Sequence, residues 1–122
     1  MDISLFFKSV LEQDRAAVVI CNLQHDIIYM NPAAVKRYEK HGDLLGKNLF
    51  DCHNERSNEI IKRVVEWFSA DKSHNIVYTF RNDKENKDVY MVALRDEGGE
   101  LIGYYEKHEY RDRETMKMYD LF

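Results

Sequence analysis

From His74 to Tyr110 the hydrophobic period of the chain becomes two, and this stretch limits the fold more than any other. Ile76, Tyr78 and Phe80 alternate with Val77, Thr79 and Arg81. A charged segment, Asn82 to Lys87, interrupts, and then Val89, Met91 and Ala93 alternate with Tyr90, Val92 and Leu94. Residues two apart share one side of a strand, so both segments read as strands, apolar on both sides. Asp96-Glu97-Gly98-Gly99-Glu100 is a glycine-rich turn of the kind hairpins prefer, and Leu101 to Tyr110 follow as a third strand with Gly103 inside it. Strands joined by turns this short pair antiparallel.

Ahead of them, Ala17 to Cys21 and Ile27 to Met30 are two short apolar runs separated by Asn22-Leu23-Gln24-His25-Asp26, a hairpin with a polar turn. Asn31-Pro32 then starts a helix: the Asn side chain can accept from an orphan amide, and Pro presets φ at the first helical position. That helix carries Ala33, Ala34, Val35 and Tyr38 and ends at His41-Gly42. Asp43 to Gly46 reads as another turn of helix, and Leu49 and Phe50 return to the core.

A longer helix follows Asp51-Cys52-His53-Asn54, capped by Asn54 or Ser57. Its apolar residues, Ile60, Ile61, Val64, Val65, Trp67 and Phe68, span a face so broad that the helix is expected to be covered on much of its circumference. At the other end of the chain, Ile3, Phe6, Phe7, Val10 and Leu11 form one helical stripe with Asp2 as N-cap. The expected fold is α+β: a five-stranded antiparallel sheet with helices on one face and an N-terminal amphipathic helix. The expected divisions are residues 1–14 for that helix, 15–110 for the domain and 111–122 for a C-terminal tail or the start of a coupling helix.

The 122 residues suffice for one domain with a real core. With 44% hydrophobic and 33% charged residues the composition is that of a globular protein, and no apolar run reaches the roughly 20 residues of a membrane span. Met1-Asp2-Ile3-Ser4 has no basic segment of a secretory signal, so a cytoplasmic location is expected. A net charge of −4, with Lys and Arg scattered among acids, argues against nucleic acid as a partner. Cys21 and Cys52 read as reduced thiols, and no metal site is expected.

The order of these pieces resembles a PAS sensor domain: the strand Val18 to Cys21, the turn Asn22 to His25, the run Ile27 to Ala33 with Asn31-Pro32-Ala33, and the hook Leu44 to Phe50. Asn22 stands where the family pattern has Asp, and His25 where it has Gly; Asn caps turns as Asp does, and both Asn and His tolerate unusual backbone angles. The resemblance implies a non-enzymatic sensing or interaction module. It implies that the long helix walls a ligand cavity and that the amphipathic extension forms a homodimer through Ile3, Phe6, Phe7, Val10 and Leu11. Candidate cavity residues are Phe50, Ile60, Val64, Phe68, Tyr78 and Tyr90, with a small molecule as ligand and an effector in trans or a C-terminal output domain as partner. Asp112-Arg113-Glu114-Thr115 loosely echoes the Asp-Ile-Thr signature that leads to such an output.

Haem-binding relatives place the proximal His on or near the long helix, so an alternative is a haem redox or gas sensor using His53 or Cys52. In flavin photosensors of the superfamily the reactive Cys directly follows a Gly-Lys/Arg-Asn trio. Here Leu49 follows Gly46-Lys47-Asn48 and Cys52 comes too late, which disfavours a flavin photoadduct. A third reading, a small α+β enzyme with Asp51 or His53 as general base, lacks any nucleophile, phosphate-loop or two-His signature. The sequence suggests that Glu106-Lys107-His108-Glu109 is a solvated face, that the strand tyrosines are structural, and that His25, His41 and His74 are surface loop residues.

Overall fold

A computed structural model describes residues 2–120 of the chain. Helix α1, Ile3–Gln13, opens with the Asp2 carboxylate accepting from Ser4 N. Strands β1, Val19–Asn22, and β2, Ile27–Met30, form the expected hairpin. In its turn, Asn22 Oδ1 accepts from the amides of Gln24 and Asp26, and His25 adopts φ 69°, the left-handed conformation that glycine supplies in the family pattern.

Helix α2, Pro32–Arg37, begins where Asn31 and Pro32 require, with Asn31 Oδ1 accepting from Ala34 N at 2.9 Å. A 3-10 turn, Glu39–His41, stops at Gly42, φ 75°. The segment Asp43 to Gly46 differs from expectation: it holds no helix, because Asp43 Oδ1 captures Leu45 N and Gly46 turns the chain left-handed. A second 3-10 turn, Leu49–Asp51, leads to α3, Glu55–Ala70, capped by Asn54 accepting from Ser57 N.

Strands β3, Ile76–Asn82, β4, Lys87–Arg95, and β5, Leu101–Tyr110, complete one antiparallel sheet in the order β2-β1-β5-β4-β3. The last strand to be made is thus the central one. It lies tight against β1: a Cβ at Gly103 would stand 2.3 Å from the Cys21 carbonyl oxygen, so this position excludes every side chain.

Val64 and Phe68 of α3 pack on Cys21, Ile27, Met91 and Tyr104 of the sheet to form the core. At the end of α3 the Arg95 guanidinium donates to the carbonyls of Phe68, Asp71 and His74, satisfying groups that a helix terminus leaves orphaned. The broad apolar face expected of α3 is only partly covered, since Ile60 and Trp67 remain exposed. Trp67 instead stacks on His74, with ring centroids 3.8 Å apart and planes 2° apart.

Helix α1 buries none of its residues and lies against α2, leaving Ile76 and Tyr78 of the sheet exposed. Two side chains tie α1 to the domain: Tyr29 Oη of β2 donates to Glu12 Oε2, and Asn31 reaches the end of the helix. Asn31, fully buried, donates through Nδ2 to the carbonyls of Leu11 and Ala16 while its Oδ1 also accepts from Val18 N.

Candidate ligand-binding site

Alternation along β5 turns Tyr104, Glu106 and His108 to the same side of the sheet, the side roofed by α3. Glu106 pairs with Val19 of β1 on one flank and Met91 of β4 on the other, in the middle of the sheet. Between this surface and the segment from Tyr38 to Ile61 lies a partly enclosed cavity of about 600 Å³. Its apolar walls are Val19, Cys21, Ile27 and Met91 from the sheet and Leu44, Leu49 and Ile61 from the opposite side. Tyr38, His41, Lys47, Asp51, Cys52 and His53 line its remaining edge.

The polar centre is a carboxylate–imidazole pair. His108 Nε2 lies 3.1 Å from Glu106 Oε1; the His108 side chain is 5% exposed, whereas that of Glu106 is 46% exposed, opening into the hollow it lines. Burial opposes ionisation of Glu106, but the hydrogen bond from His108 and the nearby His108, His53 and Lys87 outweigh it and hold its pKa below the ordinary carboxylate value.

A second hollow of about 330 Å³ adjoins the first and shares Tyr38, Glu106 and His108 with it. The β-bulge after Tyr78 brings Phe80 opposite Val89 and into this second lining. Its edge carries an ionic chain: Arg37 of α2 meets Glu85 at 2.5 Å, and Glu85 meets the buried Lys87 ammonium at 3.0 Å. These two cations hold the Glu85 pKa down at about 2.

Below the cavity runs a neutral chain of groups. Burial raises the Cys21 thiol to about 11 despite the opposing influence of the neighbouring Tyr104 hydroxyl, and burial likewise raises Tyr104. His25 is lowered by burial and by Lys62. A 2.7 Å bond joins Tyr104 Oη to His25 Nδ1, between a protonated phenol and a neutral imidazole.

The placement of the candidate residues is mixed. His53 and Cys52 line the first hollow, and Ile60 lines the second. Val64 and Phe68 lie in the core beside the cavity and do not line it. Phe50 stacks on His25, with centroids 4.0 Å apart, behind the wall. Tyr78 and Tyr90 pair with each other across β3 and β4, and neither lines a hollow; alternation along β4 sets Tyr90 opposite in sense to the inward Met91.

His25 lies in the hairpin turn as expected but is half-buried, stacked on Phe50 and bonded to Tyr104, and Glu106 and His108 face the hollow, His108 with only 5% of its side chain exposed. Their sequence signal was the parity they share with Tyr104, opposite to Lys107 and Glu109. Among the described residues no group of three or more His, Cys, Asp and Glu could hold a metal ion, and no helix is long and apolar enough to cross a membrane.

No curated protein sequence matches the chain. Among solved structures, a C-terminal domain from Streptococcus mutans is similar at 23% identity and TM-score 0.65, covering 85% of this chain and 81% of its own. The PAS domain of a Colwellia psychrerythraea protein is similar at 18% identity and TM-score 0.62, covering 89% and 97%. The Aer2 receptor from Vibrio cholerae, described as a dual PAS-haem oxygen sensor, is similar at 16% identity and TM-score 0.54, covering 75% and 90%. At these identities the structures speak for the fold. Residues 15–106 match the family model for the PAS domain, the span that holds the whole hairpin, α2, α3 and the sheet to Glu106, and the chain therefore belongs to the PAS domain family.

Proposed function

We propose that this PAS domain is a ligand-sensing module that works as a homodimer and passes the state of its cavity to an effector, in trans or in a C-terminal output domain. The observation that carries the reading is the hollow of about 600 Å³ with apolar walls and an inward carboxylate–imidazole pair, the composition of small-molecule sites. PAS domains are characteristically non-catalytic, and the site offers binding groups rather than an activated nucleophile. Exposed Ile3, Phe6, Phe7 and Val10 on α1 supply the dimer surface, with Leu11 half-buried at its edge. Asn31 connects that helix to both β1 and α2 beside the cavity, so a ligand that repacks the cavity acts on the dimer through a direct hydrogen-bonded link. Two free cysteines, Cys21 buried and Cys52 exposed, suit a reducing cytoplasm.

The mass of the purified protein in native buffer tests both parts. A dimer carrying a bound small molecule is expected, and Phe7→Asp is expected to give monomers. A wild-type monomer would refute the homodimer. Empty protein that gains no mass on exposure to cell extract would refute ligand sensing.

One observation favours haem as a second reading. His53 Nδ1 lies 3.0 Å from the Leu49 carbonyl oxygen and, as donor to it, leaves the Nε2 lone pair for an iron at the cavity edge, while Lys47 offers a cationic partner and His41 a hydrogen-bonding one for propionates. Haem bound there would supply an iron for redox or gas binding. A visible absorption band in the purified protein, lost in His53→Ala, is the expected signature of this reading.

A further inference from the structure

We infer that the cavity selects hydrophobic amines: molecules with an apolar body and a protonated amino head that docks on Glu106. The inference rests on the ligand-sensing reading above and gives its ligand a chemical class.

The charge balance of the pair comes first. His108 Nδ1 is buried without a hydrogen-bond partner. A proton there would be a buried donor with no acceptor, so the ring's single proton belongs on Nε2, which donates to Glu106 Oε1. The pair then carries one net negative charge. Glu106 Oε2 accepts from no side chain among the described residues, and the carboxylate opens into the hollow.

The neighbouring charges point the same way. Asp51 is a second carboxylate on the lining, against one lysine, Lys47. Lys87, the other cation near Glu106, lines the adjoining hollow instead, where it and Arg37 share the Glu85 carboxylate. A carboxylate opening into a hollow with apolar walls favours a cation that brings its own hydrocarbon, and it disfavours an anion of the same shape. Val19, Leu44, Leu49, Ile61 and Met91 provide the surface for that hydrocarbon.

Octylamine, octanol and octanoate, titrated calorimetrically into the intact protein at neutral pH, present one apolar body with three heads. Octylamine is expected to bind about tenfold or more tightly than octanol, as a charge-assisted bond requires, and octanoate most weakly. In Glu106→Gln the advantage of amine over alcohol is expected to vanish while octanol binding changes less than about threefold. In Ile61→Trp, which fills the hollow, all three are expected to lose binding. Equal or stronger binding of octanol or octanoate by the wild type would overturn the inference and leave the cavity reading standing. So would an amine preference that survives Glu106→Gln. Binding that persists undiminished in Ile61→Trp would place the ligand elsewhere and overturn the inference. Failure of all three probes to bind the wild type would count against the cavity reading and take this inference with it.

Discussion

A few positions decide whether β5 can occupy the centre of the sheet, and Gly103 is the most demanding of them. β5 must approach β1 closely enough for Gly103 to pair with Asn22, and the space a methyl group would need is held by the Cys21 carbonyl, a backbone atom that cannot rotate away. Gly103→Ala therefore has to push β1 and β5 apart. Its expected cost is about 2–3 kcal/mol, in the range of overpacking a tight interior, measured by urea denaturation. Gly98 is the control: a Cβ there meets only the Asp96 side chain at 3.4 Å, so Gly98→Ala is expected to cost far less. An equal loss in the two variants would show that the close approach at Gly103 does not govern stability. The sequence announced Gly103 as an irregular strand residue without saying what it approached, because that partner is remote in the chain and brought near only by the sheet order.

At the scale of elements, periodicity tells which residues share a face and leaves open which face is covered. The alternation in β3, β4 and β5, the Asn31-Pro32 start and the Asn54 cap were all legible, since each is a local rule of backbone hydrogen bonding. Glu106 and His108 were not: charges alternating in sign along a strand look the same whether they face solvent or a hollow inside the fold. Phe80 reaches the second hollow through the bulge after Tyr78, a local change of side that strand periodicity does not announce. Trp67 belongs to the broad apolar face expected to be covered, yet it stays exposed, with a single histidine stacked on part of its ring.

The attachment of α1 is also an element-scale property, and Asn31 allows it to be tested separately from the core. Asn31→Asp keeps an acceptor for Val18 N and Ala34 N but removes the donor to the Leu11 and Ala16 carbonyls and sets a negative charge among them. Loss of those bonds is expected to cost about 2–3 kcal/mol. Hydrogen exchange should accelerate in α1 well before the sheet amides respond. Uniform acceleration across sheet and helix would mean that α1 is not held as a separable unit.

Over the whole molecule, perturbed groups of both signs predict a stability maximum with two sloping sides. His25 has a pKa below its ordinary 6.5, so the fold favours its neutral form. Below that pH the unfolded chain takes up a proton that the folded chain resists, and stability falls. Structurally, a protonated His25 ring can only donate in its bond to the Tyr104 hydroxyl. Glu85, lowered from 4.5 to about 2, adds a second loss as pH drops through that interval, reduced by solvent screening because its side chain is 31% exposed. On the alkaline side the sign reverses. Cys21 is raised from 9.0 to about 11, so above pH 9 the unfolded chain releases a proton that the buried thiol keeps, and stability falls again. Urea midpoints measured from pH 3 to 10.5 should therefore be highest near neutrality. His25→Asn should flatten the descent that begins near pH 6.5, and Cys21→Ala the one that begins near pH 9. If wild-type midpoints between pH 7 and 5 did not move, His25 could not be held neutral by burial against Tyr104 and Phe50. The wall that separates the hairpin turn from the cavity would then be more open than its hydrogen bond and ring stacking imply.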